Sequence, residues 1–157
     1  MIGSEDLAWS RLNYFAIPVY GKAIKTVYIA GPLTPASTTQ NHAIEYLMNI
    51  RNMVSAGRRL LMAGLYPFVP AFDFLFFMLP PDGGWMRYGQ GNVEISGSQI
   101  KEYSMEWLRR CDAVLFLSGW SKSNGAVAEY FEAKSMGIPT FFDIEDLLNR
   151  EVPDAVS

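Results

Sequence analysis

Val27-Tyr28-Ile29-Ala30, cut by Gly31-Pro32 and followed by a polar loop over 34–39, is the stretch on which the fold reading turns. Four apolar residues without alternation read as a strand buried on both faces, and the Gly-Pro step ends it. A long helix is expected next, with Ile44, Leu47, Met48, Val54 and Leu61 recurring on one face and Gly64 just past its last turn. Residues 66–70 make a second short strand, whose Pro67 and Pro70 indicate a sheet edge. Ser98 is expected to cap a helix reaching Arg110, with Ile100, Ser104, Trp107 and Leu108 on one face. A third strand over 112–117, a helix over 125–136, a fourth strand over 139–142 and a closing helix over 144–149 complete the pattern. Helices alternating with short apolar strands imply an α/β, doubly wound, mainly parallel sheet of four to five strands covered on both faces.

The chain has 157 residues, 50% of them hydrophobic and 18% charged. At that size folding buries about 69% of the extended chain's surface, enough for one core and against a disordered chain. The domain is placed at 25–150, with an N-terminal arm over 1–24 and a C-terminal tail over 151–157. The arm carries Trp9, Leu12, Phe15 and Ile17, which suit a short appended helix. Thirteen Lys and Arg against sixteen Asp and Glu give a net charge of -3, with the basic residues scattered, so a nucleic-acid surface is not expected. The single cysteine, Cys111, excludes an internal disulfide framework and a multi-cysteine zinc site, and fits the cytoplasm. The longest apolar tract, 66–79, is interrupted by Pro67, Pro70 and Asp73 and is too short to span a bilayer, so no membrane role is expected.

In a Rossmann-like or flavodoxin-like sheet, ligands sit beyond the carboxyl ends of the strands where the strand order switches. That directs attention to Gly31 and Pro32, to Val69 and Pro70, and to the loop over 118–125. The last of these contains Gly119, Trp120, Ser123, Asn124 and Gly125 ahead of a helix, a composition suited to a phosphate or carboxylate. A plain helix cap explains Ser123, Asn124 and Gly125 equally simply. Glu129 stands among Val127, Ala128, Tyr130 and Phe131; turned inward it needs a partner, turned outward it pairs with Lys122 or Lys134.

Val27 to Pro32, the run Cys111-Asp112-Ala-Val-Leu-Phe-Leu, Ser123-x-Gly125-x-x-x-Glu129 and Gly137-Ile-Pro-Thr together resemble the nucleoside 2-deoxyribosyltransferase superfamily, which includes the 2′-deoxynucleoside 5′-phosphate N-hydrolases. The resemblance covers roughly residues 26 to 143. It implies an enzyme that cleaves the bond between base and sugar of a nucleoside or nucleoside 5′-monophosphate, without metal or organic cofactor. Glu129 falls on the nucleophile that attacks the anomeric carbon, and Tyr28 on the tyrosine beside it. Ser123 and Gly125 fall on positions that bind a 5′-phosphate, and Gly31 on the turn against which the sugar lies.

One position departs from the superfamily. Its second acidic residue falls on Ser104, which has no carboxyl to offer. Asp73, beyond the second strand, and Glu102, on the same helix as Ser104, are the candidates to replace it, with Asp73 preferred because a loop after a parallel strand borders the site. The aromatic insert with Phe72, Phe74, Phe76, Phe77, Trp85 and Tyr88 suits either packing between subunits of a homo-oligomer or stacking of a base, and Trp120 is placed to touch ligand. A non-catalytic nucleotide-binding module and an assembly subunit using that insert remain open alternatives to the enzyme.

Overall fold

A computed structural model describes residues 17–19, 22–35, 42–77 and 95–149. Their order is β1 (Ile17–Val19), β2 (Lys22–Ile24), β3 (Thr26–Ala30), α1 (His42–Met62), β4 (Tyr66–Phe68), a 3₁₀ segment (Pro70–Phe77), α2 (Gly97–Arg110), β5 (Ala113–Phe116), a 3₁₀ turn (Trp120–Lys122), α3 (Asn124–Ser135), β6 (Thr140–Phe141) and α4 (Ile144–Leu148). The parallel sheet runs β4-β3-β5-β6, with Tyr28 beside Phe68 on one flank and Val114 on the other. In sequence order this is 2-1-3-4, the flavodoxin-like winding, and its switch point lies between the carboxyl ends of β3 and β5.

Side chains of a strand alternate between faces, and here both faces are apolar. Val27, Ile29, Ala113 and Leu115 meet Met53, Ala56 and Leu60 of α1 and Leu147 of α4. Tyr28, Ala30, Val114 and Phe116 meet Leu108 of α2 and Ala133 of α3. The sheet is thus covered on both sides, and Tyr28 is directed to the α2–α3 side. At the opposite, amino end of the sheet, Asp112 Oδ2 accepts from the backbone N–H groups of Lys25 and Thr26 and from the Thr26 hydroxyl, fastening β3 to the start of β5.

The face expected for α1 is corrected. Met53, Ala56, Gly57 and Leu60 point inward at spacings of three, four and seven, while Ile44, Leu47, Met48, Val54 and Leu61 are exposed, Leu47 at 63%. The helix approaches the sheet so closely that a Cβ on Gly57 would lie 2.9 Å from Val69 Cγ2. Small residues permit that approach, so the packed stripe is the one a search for large side chains passes over. Gly64 ends the helix at φ 81°, with Leu65 N–H reaching Leu60 O and Gly64 N–H reaching Leu61 O, as a Schellman motif requires.

Other boundaries shift slightly. Ser96 rather than Ser98 caps α2, in a reciprocal capping box with Gln99. Within the segment read as an arm, β1 and β2 form an antiparallel hairpin, and Ile24 enters the core on the α1 side. Trp9, Leu12 and Phe15, like the tail over 151–157, lie outside the described residues. Among the described residues no helix is long and apolar enough to cross a membrane.

Candidate active site

Tyr28 is fully buried, and a phenol cut off from water needs a hydrogen-bond partner. It finds one in Glu129, whose Oε1 accepts from the Tyr28 hydroxyl at 2.7 Å. Ser123 caps α3 at Ala126 N–H, which starts the helix at Asn124 and places Glu129 on the second turn, above the end of β3. Neither Lys122 nor Lys134 partners this carboxyl; Lys134 lies over the Tyr130 ring. Burial pushes Glu129 up to about 7, the Tyr28 hydroxyl opposing and the Asp73 charge adding to the rise. Tyr28 itself is held well above the ordinary phenol range, first by burial and then by the adjacent Glu129 charge.

The second carboxyl comes from the 3₁₀ segment after β4. Asp73 Oδ2 accepts from the Ser104 hydroxyl at 2.6 Å, and both residues are 8% exposed. Burial raises the Asp73 carboxyl above its usual range, and the Ser104 hydroxyl counters part of that. Position 104, where a carboxyl was expected from the resemblance, therefore carries a hydroxyl that holds a carboxyl arriving from another element. Glu102, the other candidate, is directed away and pairs with Arg109.

Asp73, Ser104 and Glu129 border one cleft of about 380 Å³ at the carboxyl end of β3. Leu33 and Thr34 from the loop after β3, and Asn124 and Gly125 at the start of α3, form its other walls. Among the lining residues that sequence reasoning passed over are Tyr46, Lys101 and Met105. The signal for Lys101 was its spacing of three from Ser104, which places both on one face of α2.

Several expected contacts are corrected. Trp120 is not on this cleft; it packs with Phe116, Tyr130 and Phe142 at ring separations of 5.0 to 5.5 Å, because the 3₁₀ turn carries it toward β6. Gly31 is buried, does not border this cleft, and a Cβ there would meet Leu117 Cβ at 3.2 Å. Pro32 borders a separate cavity of about 450 Å³ on the α1 side, along with Asn49, Asn52, Arg59 and Asp143. Ser123 caps α3, while its neighbours Asn124 and Gly125 reach the cleft. Arg109 and Arg110 are tied to Glu102, Glu106 and Glu132. Phe72 and Phe76 are half exposed on the β4 side beside Tyr103, and Trp85 and Tyr88 lie outside the described residues.

Residues 91–142 match a protein family described as a domain of unknown function, DUF4406. That stretch includes Ser104 and Glu129 but neither Tyr28 nor Asp73. No curated protein and no solved structure matches the chain.

Proposed function

We propose that the chain is an N-glycosidase or deoxyribosyltransferase-like enzyme of the superfamily it resembles, acting on a nucleoside 5′-monophosphate or nucleoside in the cytoplasm as a homo-oligomer. The observation that carries this reading is the pairing of two carboxyls on one cleft, Glu129 held by Tyr28 and Asp73 held by Ser104. A glutamate oxygen bonds to the anomeric carbon as the bond to the base breaks, and the departing base takes a proton from Asp73. Water then attacks the same carbon, returning a proton to Asp73 and freeing Glu129; a second base in place of water gives transfer. Two moderate barriers replace one high one. Asn124 and Gly125, at the positive end of α3, are suited to the phosphate, with Lys101 across the cleft as a further cation.

The test is release of free base from a panel of ribo- and deoxyribonucleoside monophosphates, run alongside Glu129→Ala. Release by the wild type and its loss in the variant are expected. No release from any member, or equal release by the variant, overturns the proposal. A non-catalytic binding module is the second reading; it predicts saturable nucleotide binding without base release.

A further inference from the structure

The outward face of α1 carries a repeat that the core does not use. Leu47, Val54 and Leu61 recur every seven residues, Met48 and Met62 stand beside the first and last of them, and Ile44, Arg51 and Arg58 form a second row at the same spacing. A seven-residue spacing keeps one face of a helix in register with a second helix along its whole length. The six apolar members are exposed, from 37% at Val54 to 63% at Leu47, along a helix about 30 Å long. So long an apolar strip left to water marks a contact surface. Arg51 and Arg58, inside the strip, make no ion pair among the described residues.

We propose that α1 is the surface on which a second copy of this chain docks, the two helices running antiparallel about a two-fold axis near the middle of α1. The orientation follows from charge. A parallel copy sets Arg51 against Arg51 and Arg58 against Arg58, whereas an antiparallel one sets Arg51 beside Val54, Arg58 beside Leu47 and Ile44 beside Leu61 of the other copy. It also brings the acidic first turn of each helix, with Glu45, alongside the basic last turn of the other, with Arg59, and opposes the two helix dipoles. The strip is thus complementary to itself in charge as well as in apolar content, as a two-fold contact requires. The sheet edges offer less. β4 holds Pro67, which has no N–H to give, and β6 spans two residues, so neither is suited to strand addition. The proposal gives the expected homo-oligomer its contact surface and does not rest on the glycosidase reading.

The test is the mass of the full chain in solution by sedimentation equilibrium, with no substrate present. A dimer is expected. Leu47→Glu with Leu61→Glu should raise its Kd about 100-fold or more, and the milder Leu47→Ala with Leu61→Ala about tenfold, each with the circular dichroism of the wild type because both side chains are exposed. If the glutamate pair fails to fold, the alanine pair decides. Orientation is read from spin labels in a Cys111→Ala background: the two copies should hold their labels about 30 Å apart at Met62→Cys and about 10–15 Å apart at Val54→Cys. A monomer at every concentration, a dimer that neither pair of substitutions weakens, or equal label distances at the two positions overturns the proposal. The two readings fail separately. An antiparallel α1 dimer without base release removes only the glycosidase, and base release by a monomer removes only this interface.

Discussion

Two cavities open at the carboxyl end of the same sheet, one on the α2–α3 side and one on the α1–α4 side, and the larger has the less reactive lining. The α1-side cavity holds about 450 Å³, but three of its polar residues are committed to ordinary structural bonds. Asn49 donates to Leu33 O, Arg59 pairs with Glu145 at the surface, and Asp143 caps α4. The α2–α3 cleft holds about 380 Å³ and presents two acids whose affinity for protons is raised by burial. Volume follows from how helices splay at a sheet end. Reactivity follows from carboxyls kept out of water, which is where perturbed proton affinities concentrate at functional sites.

The sharpest break in this comparison is Glu129→Gln, which should lower base release by about 10⁴-fold or more, the scale on which loss of a nucleophile acts. The same variant tests the electrostatics without substrate. Glu129 has its affinity raised from an ordinary value of 4.5 to about 7 in the fold, so between those pH values the folded chain binds more protons than the unfolded one. Wild-type stability relative to Glu129→Gln should therefore fall as pH rises from about 4.5 to about 7 and level off above; urea denaturation at several pH values measures this, and a flat difference would place the carboxyl in water. Asp73→Asn should slow base release by about 10²–10³-fold, within the range for general acid assistance, and should do so with little change in KM. A smaller effect is expected at Ser123→Ala, where loss of the helix cap costs about 1 kcal/mol of stability, read by urea denaturation, while the KM for a monophosphate stays within about twofold because Ser123 does not border the cleft. At the far end, the double variant Asn52→Ala with Arg59→Ala should leave base release within about twofold of wild type, since surface ion pairs contribute little and that cavity carries no chemistry. A larger loss there would move the site to the other face of the sheet.

Much of the site was legible because its residues lie at fixed places on regular elements. Tyr28 sits mid-strand on the α2–α3 face and Glu129 on the second helical turn after a cap, so strand alternation and helix start together send them to one place. Asp73 was legible only as a candidate beside Glu102, because its segment has no period to say which way a side chain turns. The α1 face was read from the wrong residues for a related reason: Ala56 and Gly57 add little to a hydrophobic pattern, yet close packing against Val69 selects them. Trp120 and Pro32 were assigned to the cleft because they adjoin the right strands; a turn of one or two residues carries each of them elsewhere.

The sequence by itself determined the α/β class, the order of strands and helices, and the presence of a carboxylate after the capped loop, since these depend on local period, turn chemistry and apolar content. Only the tertiary structure decided which acid stands opposite Glu129, and that a serine on α2 holds it there. Residues 73 and 104 belong to different elements, and their meeting at 2.6 Å is set by how α2 and the 3₁₀ segment pack around the end of β3, which no local pattern encodes.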